Sequence, residues 1–314
     1  MASSITTCVL AFAIAWIAGC AAQPRIAACP AATSVSESAI PPEDDALRRW
    51  KAIAATADKK PPQGMSAAVP ELVAYLGSPD PVRRDRIAFE VLAHWLDART
   101  LSDADVRDLA RRLRENLAAS LDAPGGVFRR SFSALVLAQV VQRDRNSPVL
   151  ADDERRALLH AARDYAARET DLRGHTGATG WAHAAAHTAD LLAQLAQLPA
   201  FTDADRAIIL EAVASFVVRR HGQILAYGED GRLAASVIAA ATAGVAPGAI
   251  DAWLVALSAP LREHLTPTFD AGLFAAQRNV RNLLFTLYVH GSTAMAPSPG
   301  ERVMFEKVRA LLLE

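Results

Sequence analysis

Cysteine is almost missing from this chain, and what there is sits at one end. Among 314 residues only Cys8, Cys20 and Cys29 carry a thiol, all within the first thirty positions. The rest of the chain can therefore hold neither a disulfide framework nor a cysteine-ligated metal. Lysine is scarce as well, four of 33 basic residues. With a formal net charge of -1 and no long basic run, the sequence offers no electrostatic footprint for a nucleic-acid partner. No segment alternates apolar and polar residues as a half-buried strand would. There is no nucleophile elbow, no cysteine nucleophile and no Ser/His/Asp order, so the usual signatures of covalent catalysis are absent. Long apolar runs are lacking too: the best, Val9 to Ala18, is too short to span a bilayer and has the length of a signal-peptide core.

That core ends in Ile17-Ala18-Gly19-Cys20. The tetrapeptide resembles the lipobox of bacterial lipoproteins, which implies a signal peptide over 1–19 and a lipid on Cys20. Ala21 follows the cysteine, where an Asp would signal retention at an inner membrane. The expectation is a bacterial envelope protein, lipid-anchored at the outer membrane and facing the periplasm. The alternative is a secretory signal cut near Ala22, giving a soluble periplasmic or secreted protein. Residues 20–45 are rich in Ala, Pro, Ser and Thr without apolar period, and read as a tether spanning roughly 25 to 30 Å.

From residue 46 to 314 the character changes. The apolar content of 52% recurs at spacings of three and four, interrupted by Pro, Gly or capping clusters. Helices are expected near 45–58, 67–76, 81–98, 103–121, 127–144, 152–169, 181–198, 203–221, 230–243, 248–264, 268–290 and 300–313. Short connections between successive amphipathic helices predict an all-α fold of stacked hairpins, a HEAT-like α-solenoid, with a closed α/α toroid as the alternative. Leu101-Ser102-Asp103-Ala104-Asp105 and Phe201-Thr202-Asp203-Ala204-Asp205 are near copies of one N-cap, from duplication or from convergent capping. Residues 129–141 are apolar on nearly all sides, which predicts a central helix. Arg129 and Arg130 open it, and a buried guanidinium there needs a carboxylate from Asp171, Glu169 or Asp85.

One stretch is unlike the rest: RETDLRGHTGATGWAHAAAHTADLL, Arg168 to Leu192. On a helix starting at Trp181, the residues His183, His187, Asp190, Gln194 and Gln197 share one narrow stripe. Ala182, Ala186, Ala189 and Ala193 form a small-residue face that a neighbouring helix can approach closely. The stripe admits three readings: a solvated or structural face, a ligand-binding groove, or a site for zinc or iron built on His183, His187 and Asp190. Gly174, Gly177 and Gly180 ahead of it match no nucleotide-binding spacing and read as a turn, pinned by Asp171 and Arg173. If the turn aims the helix, His183, His187 and Asp190 line one cavity with Arg129 or Arg130 near its wall. The later Tyr227-Gly228-Glu229-Asp230-Gly231-Arg232 reads as a helix cap that can also bring Glu229 and Asp230 to the same groove.

RRSFSALVLAQVVQRD, ETDLRGHTGATGWAHAAAHTADLLAQLA and AYGEDGRLAASV together resemble the bacterial family DUF2785 over most of residues 70–290. The resemblance implies a helical domain and leaves its chemistry open. Matching positions are Arg130, Ser131, Asp171, Arg173, Gly174, Trp181, His183, His187, Asp190, Glu229, Asp230 and Arg232. Beside a purely structural part in assembling the envelope, two functions compete. One is a lipid-tethered scaffold whose groove, with Arg130, Asp171, Arg173, His183, His187, Asp190, Glu229 and Asp230 as candidate residues, holds a peptide, a glycan or a small anion. The other is a metal-dependent hydrolase using His183, His187 and Asp190.

Overall fold

The computed structural model describes residues 40–123, 125–264 and 268–313. The signal peptide over 1–19, the lipidation at Cys20 and all but the end of the tether lie outside the described residues. Twelve α-helices account for most of what is described: α1 Asp45–Ala54, α2 Met65–Tyr75, α3 Glu90–Asp97, α4 Asp103–Ala118, α5 Gly126–Asn146, α6 Asp152–Arg168, α7 Ala184–Ala196, α8 Asp203–Val217, α9 Glu229–Thr242, α10 Pro247–Leu257, α11 Ala271–Thr293 and α12 Pro299–Leu313. Among the described residues no strand forms, and the one β-bridge joins His175 to Trp181. The all-α expectation holds, with helix boundaries close to those read from apolar spacing.

The helices pack in two rows. The inner row runs α3, α5, α7, α9, α11, each against the next, and the outer row runs α4, α6, α8, α10, α12. Hairpins such as α4–α5, α6–α7 and α8–α9 tie the rows together, the arrangement of a HEAT-like array. Inner helices have neighbours on three sides. That is why α5 shows almost no amphipathic stripe: Val127, Phe132, Ala134, Val136, Leu137, Ala138, Val140 and Val141 are all buried. In α7 the alanine face meets the expectation, Ala186 and Ala189 being fully buried, with α5 on one side and α9 on the other. A larger side chain at Ala189 would separate those helices, an overpacking cost of about 1–3 kcal/mol. The outer helices α4 and α8 both start in a capping box, Ser102 with Asp105 and Thr202 with Asp205, as their matching sequences require.

A π-helical segment, Val82–Phe89, leads into α3. It brings both Arg83 and Arg84 inward. Such wide turns recur at functional sites. Here the segment delivers the fully buried Arg84 to the neighbourhood of α5 and of the glycine turn.

Candidate functional site

The chain between α6 and α7 doubles back on itself. Thr176 N–H donates to the Gly180 carbonyl at 2.7 Å, Ala182 N–H to Gly174 at 2.9 Å, and His183 N–H to Arg173 at 3.0 Å. Gly177 and Gly180 turn the tip with φ of 73°. At its base Asp171 accepts from the Arg173 side chain at 2.8 and 2.5 Å, so this pair pins the turn as expected. Trp181 is part of this hairpin and α7 begins only at Ala184, a correction to the expected helix start. The reason is the hairpin bonding, which claims the backbone of Ala182 and His183.

His183 is one of three non-glycine residues described with positive φ, at 50°. Such a backbone costs on the order of 1–3 kcal/mol and persists only where its surroundings over-determine it. Its ring lies against Trp181, centroids 4.3 Å apart and nearly parallel. Trp181 remains 38% exposed and Tyr227, 5.7 Å away edge to face, 53% exposed. Sequence reasoning placed neither at the site; a Trp read as the first residue of a helix gives no sign that it will stand in solvent.

Below them, His187 is buried and meets His183 edge to face at 5.7 Å and Phe132 at 4.8 Å. Its Nδ1 is 2.8 Å from Ser131 Oγ, and the Ser131 hydroxyl donates to the Ala182 carbonyl. A carbonyl can only accept, so the single serine proton is committed there. The His187 contact must then be an Nδ1–H donating to Oγ, which assigns the tautomer with a bare Nε2. Burial lowers the pKa of His187 well below 6.5, with His183, Arg232 and Arg84 adding positive field. Burial, then Arg232, lowers that of His183 to about 4. Both rings are neutral at neutral pH.

Glu229, the first residue of α9, accepts from the Tyr227 N–H at 2.7 Å and sets Oε1 3.6 Å from His183 Nε2. That gap is beyond a hydrogen bond, and Nε2 is buried without a partner among the described residues. Burial raises the Glu229 pKa, consistent with a carboxyl facing a neutral ring. Asp190 meets Arg232 at 2.6 Å, both partly exposed; burial raises its pKa and outweighs the guanidinium. The stripe read from sequence is thus buried at its head and bonded along the rest: His187 lies under α5, Asp190 accepts from Arg232 of α9, and the half-buried Gln194 and exposed Gln197 accept from Arg145 at 2.7 and 2.8 Å.

The guanidiniums whose charge reaches the histidines are Arg232 and, at His187, Arg84, not Arg129 or Arg130 as expected. Arg84 stacks over Phe128 at 4.3 Å and Phe132 at 4.6 Å, bonds Asp85 at 2.7 Å, and donates to the Thr179 carbonyl at 2.9 Å. It thereby holds the tip of the glycine turn. Arg130 serves the core instead, gripping Glu169 through Nε at 2.7 Å and Nη2 at 3.2 Å. Asp230 accepts from Thr286 of α11 at 2.8 Å. Of the eight candidate binding residues, His183, His187, Asp190 and Glu229 come together, and Arg130, Asp171, Arg173 and Asp230 brace the frame. Among the described residues no group of three or more His, Cys, Asp or Glu is arranged to hold a metal ion. No described helix is long and apolar enough to cross a membrane.

The model of the family described as "Protein of unknown function (DUF2785)" matches residues 117–289, more than half of the chain. The match contains α5, α7 and α9 and every residue of the His183 cluster, whereas Arg84 lies before it. No curated protein and no solved structure matches.

Proposed function

We propose that this chain, which belongs to the DUF2785 family, is a binding protein of the bacterial envelope, held at a membrane by lipid on Cys20, that seats its ligand at the head of α7 and α9. One observation carries the reading: Trp181 stands in solvent on top of a residue, His183, that is both strained and left with an unpartnered buried nitrogen. Strain and an unmet polar atom at one position lower stability, and such departures concentrate where function requires them. Tyr227 adds a second flat ring edge to face with Trp181, and Arg232, whose charge reaches His183, forms with Asp190 a pair that offers a planar donor and an acceptor. A site of this kind takes a ligand with one apolar side and polar edges. His183 acts on that surface through Trp181 and is a positioning residue.

Hydrolysis through a serine nucleophile is disfavoured by the state of Ser131. Ser131 is wholly buried with its proton given to a backbone carbonyl, so it is not presented as a nucleophile. The test is thermal unfolding of the wild type and of Trp181→Ala with N-acetylglucosamine oligomers, short peptides, inorganic phosphate or zinc added in turn. The reading requires an organic ligand or phosphate that stabilises the wild type and leaves Trp181→Ala unshifted. Stabilisation by zinc alone, lost in His187→Ala and kept in Trp181→Ala, would replace it with the metal-dependent alternative.

A further inference from the structure

α11 is the last helix of the inner row, and one of its sides stands in solvent. At helical spacing Arg278, Arg281, Phe285, Tyr288, Val289 and Ser292 fall within about 100° of one another and form a single stripe. All six are exposed, Phe285 to 54% and Val289 to 58%. From Arg278 to Ser292 the stripe runs about 21 Å along the helix. Large apolar side chains so exposed on one continuous face mark an interaction surface.

Charge and bulk narrow the choice of partner. The 23 residues of α11 include no Asp or Glu. Neither Arg278 nor Arg281 has an ion pair or a side-chain hydrogen bond among the described residues. On α4, by contrast, Arg111 and Arg112 share Asp108, and Arg111 also meets Glu115. The partner must therefore bring negative charge. Within the inner row, α7 meets its neighbours through Ala186 and Ala189, small enough for helices to approach closely. The open side of α11 carries Arg, Phe, Tyr and Val instead, so it is not shaped to receive one more inner helix. A second copy meeting it across a twofold axis would set guanidinium against guanidinium with no carboxylate between them. An anionic bilayer surface supplies both complements: phosphate groups for the arginines and an apolar layer beneath for the aromatic and branched side chains. The arginine stems are long enough to keep their charged ends among the headgroups while Phe285 and Val289 reach deeper.

Resting on the envelope reading above only for the nearness of a bilayer, we infer that the exposed side of α11 is a membrane-docking surface: the helix lies along an anionic phospholipid layer, Arg278 and Arg281 on headgroup phosphates, Phe285 and Val289 in the apolar boundary below. This contact is separate from the site at Trp181 and from lipid on Cys20. It sets which side of the helical domain faces the membrane.

The experiment is co-sedimentation of the full chain, carrying Cys20→Ala so that no attached lipid contributes, with vesicles of phosphatidylglycerol and with vesicles of phosphatidylcholine. The anionic vesicles should bind more tightly, and added salt should weaken that binding. Replacing both arginines, Arg278→Gln with Arg281→Gln, should weaken it by about thirtyfold. Phe285→Ser with Val289→Ser should weaken it by about tenfold or more. All four side chains are exposed, and the arginine pair keeps the test decisive should the serines disturb folding. Equal binding to the two lipids, or anionic binding that neither pair of replacements weakens, would overturn the inference and leave lipidation of Cys20 standing on its own test. A chain that binds no vesicles but forms a dimer, dissociated by Phe285→Ser with Val289→Ser, would give the face to a second copy and overturn it as well. So would a chain that binds no vesicles and captures an acidic helical peptide through Arg278 and Arg281.

Discussion

The ring of Tyr227 lies directly on the backbone of Gly174: a Cβ at 174 would stand 2.2 Å from Tyr227 Cδ2. Real side chains do not approach so closely, so Gly174→Ala must displace the ring. Tyr227 is half in solvent and free to swing outward, so the fold survives. The variant should lose about 1 kcal/mol of stability or less, as expected for a shift at the surface. It should lose most of its ligand response, because Tyr227 no longer stands beside Trp181. Unchanged binding in a folded Gly174→Ala would show that Tyr227 has no part in the site.

The Ser131–His187 pair makes a prediction about protons. With the serine hydroxyl given to Ala182, His187 carries its hydrogen on Nδ1. Nitrogen-15 shifts of the ring should report that tautomer across the neutral range. Ser131→Ala would strand both the Nδ1–H and the Ala182 carbonyl in the interior and should cost about 1–3 kcal/mol in urea unfolding. Finding the hydrogen on Nε2 would refute the assignment.

How far the sequence carried this result depends on which rule governed each residue. Apolar periodicity located the helices because each buries one or more faces. The all-round apolar character of residues 129–141 announced α5 as central because packing on several sides erases the stripe. The glycines and the Asp171–Arg173 pair announced a turn. The turn's internal bonding did not show: periodicity continues through Ala182 and His183, and only the bonds back to Gly174 and Arg173 withhold them from the helix. Burial of the histidines was also hidden, since a polar stripe is read as solvated unless a neighbouring helix is known to cover it. Arg84 was beyond reach because nothing in VRRDRIAF marks a wide helical turn, and its contact with Thr179 joins residues 95 apart.

Arg130 and Glu169 separate the frame from the site. Their side chains are buried and doubly bonded, so removing one partner leaves an uncompensated charge in the interior. Glu169→Gln or Arg130→Met alone should destabilise by about 3–5 kcal/mol, and the double replacement by less than the sum. Neither charge touches Trp181 or Tyr227, so whatever fraction folds should bind normally. A binding defect in the folded double variant would bring Arg130 back into the site.

The proposed lipidation of Cys20 predicts membrane partitioning of the full chain in a bacterial host. Cys20→Ala should abolish it or leave the precursor unprocessed. Equal membrane association of the two proteins would favour the plain secretory signal.

The neutral histidines tie stability to pH, and the sign follows from the direction of their shifts. Folding lowers the pKa of His183 from 6.5 to about 4 and that of His187 well below 6.5. Above 6.5 both states are neutral and the native state keeps its full advantage. As pH falls below 6.5 the unfolded chain takes up protons that the native chain refuses, so stability is lost until the folded pKa is reached. At about 1.4 kcal/mol per unit, His183 alone accounts for a loss on the order of 3 kcal/mol between 6.5 and its folded value. Glu229 and Asp190 work in the opposite sense, because their raised pKa values favour the native state at low pH and that contribution fades as pH rises through them. They therefore soften the decline at its acid end. Urea unfolding at about pH 7.5 and about pH 5 should show the loss, and His183→Phe, which keeps a ring against Trp181 while removing the titrating nitrogen, should flatten it. A slope identical in wild type and His183→Phe would mean that His183 titrates as an ordinary exposed imidazole, and the buried pair described here would be wrong.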